Sequence, residues 1–183
     1  SPRAAETTAR QAYVNTIIQI TMARLFSILT GTISKPSATP QHDGWALPMN
    51  WQENLLSTPE QIRELILKTR RIAVLGIKTE AQADQPSVYV PMYIQKAGFE
   101  IIPVPVYYPD ATVILGEKVY RRLSDIPGEI DMIDVFRRSH DINGHIEDVL
   151  AKKPKSIWFQ SGIRNDSAAE IFAKAGIKVV QDR

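Results

Sequence analysis

The stretch RIAVLG at residues 71–76 is short and apolar and ends on glycine, as a buried strand of a parallel sheet should. Apolar segments of the same kind recur downstream, at residues 100–105, 131–136, 156–160 and 177–180. Helical patterns separate them, and strands that alternate with helices imply right-handed crossovers and a parallel sheet covered on both faces. The sequence therefore predicts an α/β chain with a Rossmann-like, doubly wound parallel sheet of about five strands.

Helix signals between these strands support that pattern. Residues 87–97, 139–152 and 166–174 are predicted helices. Ser87 is predicted to cap the first of them, and Gly98 fits the position just past its end. Pro103 and Pro105 cannot donate ladder hydrogen bonds, which predicts that both lie at the end of the second strand.

The N-terminal third of the chain has a different character. Apolar residues at helical spacing between residues 14 and 29 predict an amphipathic helix that packs on the body or forms a homodimer. Residues 30–59 are rich in proline and predict an extended linker. A capping box then starts a helix, with Thr58 as N-cap, Pro59 in the first helical position and Gln61 closing the box. We expect two regions, a helix and linker over residues 1–55 and a Rossmann-like domain over residues 56–183.

Composition excludes several classes of function. The 183 residues hold 22 Lys+Arg against 20 Asp+Glu, a net charge of +2, which is too balanced for a nucleic-acid protein. The chain has no Cys, which excludes a disulfide framework and any Cys-ligated metal site within it. Polar residues interrupt the most apolar stretch, so a membrane span is not expected. We expect a soluble cytoplasmic protein, or an organellar one if the Arg- and Thr-rich start is a transit segment.

In such a sheet, ligands bind beyond the carboxyl ends of the strands. Gly76, Ile77 and Lys78 open the loop after the first strand, which lacks the three-glycine dinucleotide fingerprint. This loop could still wrap a phosphate, with Ser87 and the helix N-terminus as donors. In the alternative, Gly76 only makes a tight turn and Ser87 only caps the helix.

Two arginines follow the third strand and a glycine follows the fourth. Arg137 and Arg138 could grip a phosphate, or could instead form a solvated turn with salt bridges to Asp134 and Asp141. Gln160 ends the fourth strand, and Gly162 could allow a ligand to approach closely.

Signatures of catalysis are weak. Asp131 and Asp134 lie three apart and so on opposite faces of a strand, which excludes a carboxylate dyad. His140 and His145 lie five apart and do not share a helix face, so we expect them to face solvent or to cap. The sequence has no P-loop and no nucleophile elbow. We therefore do not expect an enzyme.

Several stretches carry a family resemblance together, in the same order along the chain. They are residues 72–76, 86–91, 98–104, 115–120, 130–138, 158–162 and 179–183. In this arrangement the chain resembles the small CoA-binding-domain proteins, which are stand-alone relatives of the CoA-binding domain of the succinyl-CoA synthetase alpha subunit. The resemblance does not extend to residues 1–55.

The resemblance implies a pocket for CoA. Gly76 and Ser87 would approach its phosphates, Val104 and Pro105 would flank the adenosine, and Phe136 would pack on the ligand beside Arg137, which would meet phosphate charge. The family usually has Asn-Pro after the second strand, where this chain has Pro105 and Val106. The full predicted cofactor-binding set is Gly76, Ile77, Lys78, Ser87, Val104, Pro105, Phe136, Arg137, Arg138, Gln160 and Gly162.

Three functions remain open at this point. The leading one is a non-catalytic CoA or acyl-CoA binding protein. The alternatives are an NAD(H)-binding redox sensor or small oxidoreductase, and an interaction protein whose nucleotide site has degenerated. The fold alone does not distinguish them.

Overall fold

The computed structural model describes residues 50–183 of the chain. The strands are β1 (Arg71–Leu75), β2 (Glu100–Val104), β3 (Val113–Ile114), β4 (Glu117–Lys118), β5 (Met132–Val135), β6 (Ser156–Phe159) and β7 (Lys178–Val180). The α-helices are α1 (Pro59–Lys68), α2 (Pro86–Lys96), α3 (Ile146–Lys152) and α4 (Asp166–Lys174), and short 3-10 turns span Trp51–Asn54, Glu80–Gln82, Leu123–Asp125 and Ser139–His145. The predicted N-terminal helix, its dimer contact and nearly all of the predicted linker lie outside the described residues.

Five strands form one parallel sheet in the order β2-β1-β5-β6-β7. This confirms the predicted Rossmann-like architecture. Strand order reverses at β1, which has β2 on one side and β5 on the other. Both prolines lie at the end of β2 as predicted, although Pro103, its fourth residue of five, still pairs with Val74 in the ladder. The edge position of β2 explains this, since an edge strand has one side that needs no ladder donor.

The helices divide between the two faces of the sheet, as crossovers in opposite directions require. Along β1, Ile72 and Val74 belong to the core on the α1 and α2 face, whereas Ala73 and Leu75 belong to the core on the opposite face. The first core also takes Ile62, Leu65 and Ile66 from α1 and Ile94 from α2. The second takes Val149 from α3 and Ala168, Ala169, Phe172 and Ala173 from α4. The alternation of buried residues along β1 therefore serves two cores.

The start of α1 confirms the predicted capping box. The Thr58 hydroxyl accepts a hydrogen bond from the Gln61 amide at 3.3 Å, and Gln61 Oε1 accepts one from the Thr58 amide at 3.2 Å. Before the helix, Trp51 packs against the core and Leu55 forms a parallel bridge with Val179 at the β7 edge.

Three local predictions differ from the structure. Ser87 is not the cap of α2, because the helix begins at Pro86 with Gln85 as its N-cap, so Ser87 lies inside the first turn. The segment predicted as one helix over residues 139–152 is a 3-10 turn followed by α3. A small antiparallel hairpin, β3–β4, was not predicted. Each of its strands has only two residues, too few to show a period.

Within residues 50–183, the helices are too short and too polar to cross a lipid bilayer.

Candidate functional site

A cleft of about 1240 Å³ opens on the α1 and α2 face of the sheet. Its floor is formed by Ile72, Met132, Asp134 and Trp158 from the three central strands β1, β5 and β6. One wall is the α2 face that carries Tyr89, Val90 and Tyr93. The cleft lies beside β1, where the strand order reverses because β2 is on one side of β1 and β5 is on the other. Doubly wound sheets bind ligands at this switch point.

Seven of the predicted binding residues line this cleft, and four do not. The seven are Lys78, Ser87, Phe136, Arg137, Arg138, Gln160 and Gly162. Val104 and Pro105 instead line a smaller cavity of about 430 Å³, together with Arg121, His145 and Asp148. Gly76 and Ile77 line neither cavity in the described chain. The loop after β1 and the turns after β5 and β6 thus line one cleft, and the end of β2 lines the smaller cavity beside Arg137.

Arg137 lies at the mouth of the cleft with only 13% of its side chain exposed. One guanidinium nitrogen donates to Asp141 Oδ2 at 2.9 Å, which is one of the two salt bridges that the sequence offered as an alternative. The guanidinium also lies 5.5 Å from the ring centroid of Tyr107. Its Nε is buried and has no hydrogen-bond partner among residues 50–183. A buried donor of this kind is costly unless something accepts from it.

The N-terminus of α2 faces the same mouth. Lys78 Nζ donates to the side chain of Gln85, the N-cap of α2, so this side chain holds the lysine and does not cap the helix. Ser87 lines the cleft from the first turn, and Arg138 lines it from the turn after β5. Three cationic side chains, those of Lys78, Arg137 and Arg138, and a positive helix end therefore line the same cleft, an arrangement that favours an anion.

A carboxyl group is buried in the floor of the cleft. Asp134 is 2% exposed, and its Oδ1 accepts a hydrogen bond of 2.7 Å from Gln160 Nε2. Burial raises the pKa of Asp134 to about 7, although the Gln160 hydrogen bond and the Val135 amide oppose the rise. Its Oδ2 is buried without a hydrogen-bond partner in the described chain.

Asp134 was not among the binding residues predicted from the sequence. This aspartate was considered only as half of an excluded dyad or as a partner for an arginine. The available signal was an acid within the otherwise apolar strand MIDV, since a buried central strand seldom carries a charge. Asp131, by contrast, lies just before β5, and its Oδ2 accepts from the amides of Arg70 and Arg71. This ties the start of β5 to β1.

Of the two histidines of this region, His140 faces solvent as predicted, whereas the His145 side chain is partly buried and does not cap α3. The His140 side chain is 73% exposed and pairs with Asp141 at 3.0 Å. His145 is partly buried beside the smaller cavity, where burial first and then the charge of Arg137 lower its pKa. Among the described residues, no cluster of His, Asp or Glu could hold a metal ion.

Residues 70–183 match a family model that is described as "CoA binding domain". This match covers more than half of the chain and confirms the resemblance that the ordered stretches predicted.

Similar proteins come from bacteria and archaea. The Bacillus subtilis protein YneT, described as uncharacterized, is 35% identical over 122 residues, which cover 67% of this chain and 87% of YneT. The solved structure of cell-free ID.343 from Thermus thermophilus is 34% identical with a TM-score of 0.61 and covers 74% of this chain and 92% of its own. A hypothetical protein from Pyrococcus horikoshii OT3 is 27% identical with a TM-score of 0.63 and covers 77% and 92%.

Proposed function

Because this chain belongs to the CoA-binding-domain family, we propose that it binds CoA or acyl-CoA in the cleft and does not transform it. Membership of the family supports CoA-related binding in general. The finer statement, that the ligand is CoA or its thioester, rests on the chemistry of the cleft.

Arg137 carries the proposal. Its buried Nε–H has no acceptor within the described residues, and it points to an anionic group that would enter the mouth of the cleft. The salt bridge to Asp141 and the ring of Tyr107 hold the guanidinium in place, so little side-chain entropy is lost on binding. Lys78 and the N-terminus of α2 lie at the same mouth and would share the charge of a diphosphate.

The remainder of the cleft suits a long, mostly apolar chain. From the charged mouth it runs over Met132 and Trp158 toward Ile66 and Phe99. Its volume of about 1240 Å³ exceeds the range of roughly 300–1,000 Å³ that is usual for small-molecule sites. An elongated cofactor with phosphates at one end and an amide-bearing arm at the other fits this division.

The groups near the mouth are engaged in structural contacts, which favours binding without turnover. The Ser139 hydroxyl accepts from the amide of Arg164 at 3.2 Å, and His140 is turned toward Asp141 and solvent. Neither is arranged as a nucleophile beside its base.

Isothermal titration of the 183-residue chain tests the proposal. We expect CoA and acetyl-CoA to bind with similar affinity, NADH to bind more weakly, and neither thioester nor thiol to be consumed. Arg137→Gln should weaken CoA binding about ten-fold or more, because a charge-assisted hydrogen bond is lost from a buried site. Arg63→Gln removes the same charge from an exposed position on α1 and should leave the affinity unchanged. Absence of CoA binding at millimolar ligand would overturn the proposal.

A further inference from the structure

The floor of the cleft holds one hydrogen-bonding atom that the protein itself does not use. Asp134 lies on β5, the central strand of the sheet, with Val74 of β1 and Trp158 of β6 as its register neighbours. Gln160 occupies Oδ1, whereas Oδ2 is buried and has no partner among the described residues. An unused polar atom in an apolar floor costs free energy unless a ligand group meets it.

The surroundings favour a neutral carboxyl. The side chains next to Asp134 across the sheet are Val74 and Trp158, and the groups that bond it are the uncharged amides of Gln160 and of the Val135 backbone. A buried carboxylate without a cationic partner is disfavoured, so the group keeps its proton at pH values below its pKa of about 7. With Oδ1 accepting from Gln160, the proton belongs on Oδ2, which makes it the one oxygen of this cleft-lining residue left to donate.

The position of Asp134 also fits a particular part of a ligand. Arg137 follows three residues later, past the end of β5, and so lies nearer the mouth. A CoA molecule with its diphosphate at Arg137 would extend its pantetheine arm back over the floor, past Asp134. The amides of that arm are the main hydrogen-bonding groups of an otherwise apolar chain.

We propose that Asp134 is the recognition residue for the amide-bearing arm of the ligand, and that its Oδ2–H donates a hydrogen bond to a carbonyl oxygen of that arm. This inference rests on the proposed function, because it takes the ligand to be CoA. Gln160 acts as a positioning residue, since its amide fixes Oδ1 and thereby the direction of Oδ2.

Two substitutions and two ligands test this assignment by isothermal titration. Asp134→Asn keeps an acceptor for Gln160 and offers an amide N–H in place of the O–H, so CoA affinity should stay within about three-fold of wild type. Asp134→Leu keeps the shape and removes the donor, so CoA affinity should fall about ten-fold or more. Adenosine 3′,5′-bisphosphate has phosphates but no amide arm, and both variants should bind it as the wild type does.

A spectroscopic measurement tests the assignment even if the Asp134→Leu variant does not fold. In difference infrared spectra, CoA should shift the carbonyl stretch of a neutral carboxyl in the wild type, and adenosine 3′,5′-bisphosphate should not. The band should be absent from Asp134→Asn.

The outcomes separate the two proposals. If the wild type binds CoA but neither the affinity of Asp134→Leu nor the infrared band changes, Asp134 has no such role and the proposed function stands. Equal loss in Asp134→Asn and Asp134→Leu would also overturn the donor assignment. If the wild type binds no CoA, the proposed function itself fails.

Discussion

A Cβ atom on Gly76 would lie 2.7 Å from the carbonyl oxygen of Phe136, a distance that real Cβ atoms essentially never show. Gly76 has φ +89°, and the same imaginary atom would lie 3.0 Å from Cδ of Arg137. The turn after β1 and the turn after β5 are therefore in backbone contact, which only glycine permits here. This contact holds the backbone next to Arg137, and so helps to position the Arg137 side chain at the mouth of the cleft.

Gly76→Ala should destabilise the protein and also weaken its ligand binding. The residue at position 76 must keep a left-handed backbone, which costs on the order of 1–3 kcal/mol, and must also displace a backbone carbonyl. Urea unfolding measures the first effect and titration with CoA measures the second.

Gly116→Ala is the matched control for this substitution. Gly116 also has a positive φ, +76°, but a Cβ there would meet no atom within 4 Å in the described chain. The Gly116→Ala variant should therefore lose only the free energy that a positive φ costs an alanine, and its affinity for CoA should not change. An equal decrease in the free energy of unfolding of the two variants would show that the contact with Phe136 does not contribute to stability.

Thr58→Ala should lower the free energy of unfolding by about 1 kcal/mol, because it removes the hydroxyl that accepts from the Gln61 amide at the start of α1. Ser57→Ala alters an exposed neighbouring hydroxyl outside the capping box and should change the stability little. Chemical unfolding of both variants measures the difference. If Ser57→Ala costs as much as Thr58→Ala, the capping box is not what stabilises this end of the helix.

The sequence predicted the sheet well because its signals are local. Each buried strand is an apolar run between breakers, and the capping box at Thr58 and the turn at Gly98 depend only on adjacent residues. Predictions were incomplete where the outcome depended on tertiary position. Pro103 can pair within β2 because β2 is an edge strand, and strand order is not visible in the sequence of one strand.

The site was predictable only in part, for the same reason. The turns after β1, β5 and β6 were expected to converge, and Lys78, Arg137 and Gln160 do line one cleft. Asp134 was missed although an acid interrupts the apolar strand MIDV, because the register that places Val74 and Trp158 beside it is not visible in the sequence of β5. Val104 and Pro105 line another cavity, since the side on which the loop after β2 lies is set by packing.

Tyr107→Leu should weaken CoA binding modestly, by about two- to five-fold, because a cation–π contact at an exposed site contributes about 0.5–1 kcal/mol. The Tyr107 ring lies 5.5 Å from the Arg137 guanidinium and helps to hold it at the mouth. Tyr107→Phe keeps the ring and removes only the hydroxyl, so it should bind CoA like the wild type. An equal loss in the phenylalanine variant would assign the effect to the hydroxyl and not to the ring.

The buried carboxyl of Asp134 should make stability depend on pH in an unusual direction. Burial raises the pKa of Asp134 from its ordinary 3.8 to about 7 in the folded state. Between these values the folded protein binds more protons than the unfolded chain, so the free energy of unfolding falls as pH rises. The contribution of this group is fully present below pH about 4 and is lost by pH about 7, a change on the order of a few kcal/mol.

Other carboxyls act in the opposite direction, which is why the measurement must be a difference. Hydrogen bonds and nearby cations hold the pKa values of Asp148 and Asp166 below their usual range. Protonation of these two groups therefore lowers the free energy of unfolding as the pH falls. Asp134→Asn cannot titrate, and subtracting its urea unfolding free energy from that of the wild type between pH 4.5 and 7.5 cancels their contribution. The wild type should weaken relative to the variant as pH rises. A flat difference would mean that Asp134 is already ionised in the folded protein, and the assignment of Oδ2–H as a donor would then fall with it.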